Sequence, residues 1–238
     1  NIANGDGGYT AVSGASSSND VTIANGTIGG SVYGGRTATG TAENNTVNWR
    51  EGDITGGLYG GSGSTTNNNT LNMYASGKNV TNLGGFENYN FYLSNDFSPE
   101  TDTAITVRSE FNINAGTKAA IALGSNTNVT YKDTVKLIAD NGGTIDESKI
   151  TYDASAIKPE AGYTVIAEDK VKGKVEDGNK YVVMYIGDSE KVVFGNDSGT
   201  VPFPLGRSGD ATLPDGSHAS NGTLNIDNAS DVYFAAVG

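Results

Sequence analysis

The chain has 238 residues, 34 of them Gly, no Cys, and a formal net charge of −12. That charge argues against a nucleic-acid groove, where phosphate contacts need clustered Lys and Arg, and the lack of Cys excludes disulfide staples and thiolate-bound zinc. No apolar run approaches the roughly 20 residues of a membrane helix, and Asn1–Gly8 lacks the basic and apolar regions of a signal peptide, so the sequence reads as a piece of a longer chain.

Apolar residues make up only 36% of the chain, a composition that often means disorder. Here they are β-branched or aromatic and fall in short alternating runs, which disordered chains lack. The polar excess is therefore read as turns and stacked polar faces.

An internal repeat organises the first third. The stretch from Val21 to Gly35 aligns without gaps on Val47 to Gly61, every pair offset by 26 residues. A looser third copy holds Leu71, Met73, Gly77, Val80 and Leu83-Gly84-Gly85-Phe86. Val21 and Ile23, Val47 and Trp49, and Leu71 and Met73 lie two apart, so each pair shares one face of a strand. One such unit is too thin to bury that face alone, and stacking on the next copy covers it. The Gly-Gly pairs are expected to allow positive φ at corners. Asn residues before each first strand, such as Asn19, Asn45 and Asn69, are expected to bond to each other along the stack or to their own backbone. A helical repeat is excluded, because each helical Gly would cost about 1 kcal/mol.

Composition then shifts. Residues 1–98 hold one Lys, 99–200 hold ten, and the rest none, so the middle has a different surface chemistry. It still reads as strands, at Ile105–Val107, Ile121–Leu123, Val135–Leu137, Tyr163–Val165 and Tyr181–Ile186. Asp177-Gly178 and Gly187-Asp188 mark hairpin turns, which predicts an antiparallel meander near 160–195. Ala154–Lys158 is read as one helical turn. Residues 196–220, with Pro202, Pro204 and Pro214, form a loop. Thr223 onward, with Leu224, Ile226, Val232 and Tyr233, reads as re-entry into a coil. The expected architecture is all-β: a parallel β-helix over 1–98, a charged β-rich continuation over 99–200 with a small antiparallel subdomain, and a loop with a returning coil over 201–238.

Few residues offer chemistry. His218 is the single histidine. Ser189, Asp215 and His218 have the spacing of a nucleophile, orienting acid and base. Ser189 falls between two strands of a hairpin, however, not at the strand-to-helix turn such a nucleophile needs. A polysaccharide-active β-helix needs carboxylates grouped on one face, and Arg50, Glu51 and Asp53 lie together only once, at a solvated corner. Asp140, Asp146 and Glu147 flank a Gly turn without the spacing of a calcium loop. Arg207-Ser-Gly-Asp210 is interrupted by Ser208 and is no integrin tripeptide. Tyr33 and Tyr59 share a repeat position and are expected to stack, sealing a corner or forming an aromatic stripe. The reading is of no catalytic residue, metal or cofactor.

Asn44-Asn45-Thr46-Val47, Leu58-Tyr59-Gly60-Gly61, the run Phe86–Leu93 and Asp133–Ile138 resemble passenger regions of bacterial autotransporter proteins. That resemblance implies a right-handed parallel β-helix, secreted through an outer-membrane barrel that this chain lacks. It also implies an adhesin or aggregation factor on the bacterial surface, or the elongated stalk of one. Its partners would be host surface, extracellular matrix, neighbouring cells or glycans. Ala120–Ser125 also looks like one strand of the trimeric autotransporter head, without that head's shorter repeat. The alternative function is a carbohydrate-active β-helix lyase or hydrolase.

Overall fold

Apolar side chains two apart face the same way, and here they face inward. The computed structural model describes residues 5–10, 14–129, 133–167, 170–186, 211–212 and 218–219. In chain order its first strands are β1 (Gly5–Asp6), β2 (Tyr9–Thr10), β3 (Asp20–Ile23), β4 (Thr27–Ile28), β5 (Val32–Thr37), β6 (Thr41–Glu43) and β7 (Thr46–Trp49). Then come β8 (Asp53–Ile54), β9 (Leu58–Ser62), β10 (Thr65–Asn67), β11 (Thr70–Met73), β12 (Lys78–Gly84) and β13 (Asn88–Leu93). Longer strands follow at β14 (Thr103–Asn112), β15 (Thr117–Gly124) and β16 (Thr134–Asp140). The last four of this unit are β17 (Ile150–Tyr152), β18 (Tyr163–Val165), β19 (Val171–Glu176) and β20 (Tyr181–Ile186).

These strands stack as a parallel β-solenoid. One long sheet runs β3-β7-β11-β13-β15, all parallel, and the other runs β1-β5-β9-β12-β14-β16, also parallel. Short sheets β4-β8 and β6-β10 form corners. In the first sheet Val21, Val47, Leu71 and Tyr89 stand in register, as do Ile23, Trp49, Met73 and Phe91. In the second, Val32, Leu58, Leu83 and Phe111 do the same. All of these but the partly buried Val21 are buried in one apolar core. Each large buried side chain contributes roughly 2–3 kcal/mol against the conformational entropy of ordering its coil.

Asparagine organises one corner. Asn19 Nδ2 donates to Asn45 Oδ1 at 2.7 Å, and Asn45 Nδ2 donates to Asn69 Oδ1 at 2.9 Å. The same oxygens accept the backbone N–H of Asn19 and of Asn45. Asn45 and Asn69 are fully buried, so these bonds satisfy groups that water cannot reach. The ladder stops at Glu87, whose carboxylate takes the Asn69 N–H at 2.7 Å and the Asn114 amide at 2.6 Å.

The reading of the Gly-Gly pairs as positive-φ corners holds at Gly85, whose φ is +67°, and needs correcting at the other pairs of the repeat. Positive φ falls instead on Ser18, Asn44 and Asn68 just before the ladder, and on Gly26 and Gly52 at another corner. None of Gly34, Gly35, Gly60 and Gly61 has it. Those glycines serve close approach: a Cβ on Gly34 would lie 2.5 Å from the Gly60 oxygen, and one on Gly60 2.4 Å from the Gly85 oxygen. Coils meet backbone to backbone there, leaving no space for a methyl group.

The middle of the chain prolongs both sheets. Tyr163–Val165 pairs antiparallel with β15, and β19 turns into β20, which pairs antiparallel with both β19 and β16. The β19–β20 turn has positive φ at Asp177, Gly178 and Asn179, as the hairpin reading of Asp177-Gly178 expects. The Tyr152 ring packs over Gly173, where an added Cβ would lie 1.9 Å from the ring. Val182 and Met184 close the core at this end. The helical turn read at Ala154–Lys158 is a single 3-10 turn, Ala154–Ala156, capped by Asp153.

A second compact unit spans Gly187–Gly238. Its described part is one antiparallel pair, Ala211–Thr212 with His218–Ala219. The coil expected from Thr223, and residues 187–195 of the expected meander, lie outside the described residues. Among the described residues no helix is long and apolar enough to cross a membrane.

Candidate functional site

A residue that follows an inward-facing one points outward. Arg50, Tyr74 and Tyr92 each follow Trp49, Met73 and Phe91, so they form one outward column on successive coils. The Tyr74 and Tyr92 rings stack at 4.4 Å with 11° between planes. The Arg50 guanidinium carbon lies 4.2 Å from the Tyr74 centroid, a cation over the ring face. The next position in register is Ala122.

A strap, residues 153–162, runs over this column between β17 and β18. Its anchors step back along the stack. Lys118 on β15 holds Asp153 at 2.6 Å. From β13, Asn90 donates to the Ala156 carbonyl at 3.3 Å and the Tyr92 hydroxyl to the Lys158 carbonyl at 2.8 Å. Glu160 then bridges two coils, accepting from the Tyr74 hydroxyl and, at 3.0 Å, from Arg50. Ile157 is buried with Tyr92, Ala120 and Ala122. Tyr163 sets its edge against both stacked rings.

The electrostatics follow from this geometry. Burial, with Glu160 as hydrogen-bond partner, pushes the Tyr74 hydroxyl well above its ordinary range. Burial alone would raise Glu160, but the Tyr74 and Arg50 bonds prevail and hold it below the usual carboxylate range. The Lys118 bond, helped by Ser155, takes Asp153 down to about 2. Both carboxylates are depressed, so their contribution is present above the unfolded values near about 4 and is lost as pH falls through the folded ones. The strap is expected to loosen between about pH 4 and the value near 2 held by Asp153. Near-UV circular dichroism of the tyrosine stack checks this. Glu160→Gln should weaken the native signal at neutral pH and remove the part of the acid transition that Glu160 causes; an unchanged titration would refute the assignment.

A second ladder stands on the other sheet. Tyr33 and Tyr59 stack at 4.9 Å and 15°, as their shared repeat position requires. The Arg36 guanidinium carbon lies 4.9 Å from the Tyr33 centroid. In register after Tyr59 come Gly84 and then Asn112. Burial, then Tyr33 and Glu110, raise the Tyr59 hydroxyl above its ordinary value. Both rings stay partly exposed, and neither hydroxyl has a hydrogen-bond partner among the described residues.

The other sequence candidates do not converge. Arg50 turns to Glu160 while Asp53 pairs with Lys78 at 3.1 Å, leaving Glu51 exposed. Asp140 is buried and accepts from the Gly142 N–H at 3.1 Å. Asp146 caps the 3-10 turn Glu147–Lys149 through Ser148. Each carboxylate thus serves its own turn. Among the described residues no three of His, Cys, Asp and Glu group as a metal site. Ser189, Arg207, Asp210 and Asp215 lie outside the described residues, and His218, expected in a loop, lies in a two-residue strand.

Sequence reasoning found the Tyr33–Tyr59 ladder and missed the Arg50–Tyr74–Tyr92 column. The column's signal was the residue after each second core position, carried one coil further to Phe91. Glu160, 110 residues from Arg50, left no periodic trace. No family model, curated protein or solved structure matches the chain.

Proposed function

We propose that this chain is a non-enzymatic segment of a surface-exposed or secreted passenger protein, and that its outer faces mediate adhesion or cell-cell aggregation. One observation carries the reading: outward residues recur in register over several coils, giving columns of like side chains. Asn48 and Asn72 form one bonded column and Tyr33–Tyr59 an aromatic one. Such a surface presents the same group repeatedly along one axis, which suits multivalent contact with a repetitive partner. The autotransporter resemblance supports the same reading. It points to host surface, matrix, neighbouring cells or their glycans as partners, and to anchoring at the outer membrane through a region outside this chain.

Beads coated with the chain test this. They should attach to epithelial cells or matrix, or aggregate with each other, above beads coated with an inert protein. Attachment and aggregation at the inert level would overturn the proposal. So would cleavage of an acidic or neutral polysaccharide, with or without calcium, that a single carboxylate substitution abolishes.

A further inference from the structure

Asn-Gly occurs four times in the sequence, at 4–5, 25–26, 141–142 and 221–222. Such a pair carries chemistry of its own. A glycine nitrogen has no side chain beside it to obstruct approach, and the amide of the preceding Asn can close a five-membered ring with it. How readily the ring closes depends on how the fold holds the two groups. Of the four pairs, 25–26 and 141–142 lie wholly within the described residues.

The fold holds these two in opposite ways. Asn25 and Gly26 are both exposed, at the corner between β3 and β4. Gly26 has φ of +84°, and nothing lies within 4 Å of an added Cβ. Its N–H donates to Asn25 Oδ1 at 2.6 Å. Asn25 Cγ sits one C=O bond behind that oxygen, about 1.2 Å, so it lies within about 3.8 Å of the nitrogen. A small turn of the side chain brings it to the reacting range of about 3–3.5 Å. The corner is anchored from behind, where the Gly26 carbonyl accepts the Asp53 N–H at 2.8 Å. Asn141 and Gly142 are exposed too, but the Gly142 nitrogen is occupied. Its N–H donates to Asp140 Oδ1 at 3.1 Å, and an added Cβ would collide with the Ser109 oxygen. The Asp140 carboxylate opposes loss of the amide proton, and the Ser109 carbonyl crowds the face where a ring would form.

We propose that Asn25-Gly26 is a self-modification site, a corner that converts its own asparagine to isoaspartate and aspartate. Hydroxide takes the Gly26 amide proton, and the nitrogen attacks Asn25 Cγ. A bond from Cγ to the Gly26 nitrogen forms and the Cγ–Nδ2 bond breaks. The amide leaves as ammonia, taking a proton from water and returning hydroxide. Water then opens the resulting succinimide at either carbonyl. Opening at the main-chain carbonyl gives isoaspartate, and opening at Cγ gives aspartate. Nothing is oxidised or reduced, and water is the one co-reactant. The product adds a negative charge, and the isoaspartate form lengthens the main chain by one carbon just before the Gly26 carbonyl that Asp53 bonds. The next coil carries Glu51-Gly52 at the same repeat position, with no amide to lose. The site is independent of the adhesive reading and goes beyond it.

Site-resolved peptide mass spectrometry of the intact chain, incubated natively and in urea at mildly alkaline pH, tests the proposal. In urea the two pairs should react at similar rates, because both are Asn-Gly. In the native chain Asn25 should keep nearly that rate, while Asn141 should fall roughly tenfold or more below it. The Asn25 rate should rise with hydroxide concentration, and isoaspartate should appear beside aspartate. Native Asn25 slowed as much as Asn141, a rate indifferent to pH, or aspartate without isoaspartate would overturn the site. Failure of the coated beads to attach would leave it untouched.

Discussion

Asn45→Ala is expected to lower the melting temperature of the solenoid by about 10 °C, at roughly 2–4 °C per kcal/mol for a unit of this size. The substitution deletes an acceptor for the Asn19 N–H and side-chain amide, and a donor to Asn69 Oδ1 and the Ser16 carbonyl. Each such bond is worth about 1 kcal/mol net, and a buried partner left unsatisfied adds about 1–3 kcal/mol, so a total near 3–4 kcal/mol follows. Asn72 is the control. It makes similar bonds, to Asn48 at 2.8 Å and from Asn90 at 2.9 Å, but on the outward face. Asn72→Ala should cost only about 1 kcal/mol, because the freed Asn48 oxygen lies nearer water and the buried Asn90 amide keeps the Ala156 carbonyl as its acceptor. Thermal melts of the two variants decide the matter, and equal losses would mean that burial is not what makes the ladder strong.

Gly60→Ala is the second large effect. The new methyl group would meet the Gly85 oxygen at 2.4 Å, Phe86 Cδ1 at 2.5 Å and Asn69 Cβ at 2.7 Å. A ring can turn, but a backbone carbonyl bonded into the next coil cannot. We expect a loss of about 3 kcal/mol, at the upper end for an overpacked core, with coils separating locally. Gly26→Ala gives the contrast. Gly26 has φ of +84° with nothing within 4 Å of an added Cβ, so only conformational strain of about 1 kcal/mol is expected. Denaturant melts compare them directly. A Gly60 variant no less stable than the Gly26 one would mean that close approach of the coils is not what requires glycine at position 60.

Much of this fold was legible in Val21, Ile23, Val47 and Trp49, because two ungapped copies fix both the period and the inward face. Leu71 and Met73 remained readable although their bonding offset falls to 24 residues. The next coil was not readable as a copy, and β13 shows why. All six of its residues are buried, since the core lies on one side and other chain segments, including the strap over Asn90 and Tyr92, on the other. Two-sided burial erases the alternation by which a strand is recognised. The strap itself was invisible for a related reason: its anchors are single residues, each matched to a different coil. At the sites, Tyr33 and Tyr59 announced themselves by position, whereas Gly84 reads as part of a corner until the register sets it beside Tyr59.

The uneven spacing along the first sheet has a consequence for how the chain finds its pairing. From Asn19 to Asn45 the step is 26 residues, from Asn48 to Asn72 it is 24, and from Asn72 to Asn90 it is 18. A stack of identical steps would tolerate slippage, since any coil could take its neighbour's seat with little loss. Here a displaced coil meets a partner of the wrong length, and Glu87 supplies an anion where the ladder expects an amide. Irregularity thus acts as an address, giving each coil one seat and the landscape one minimum.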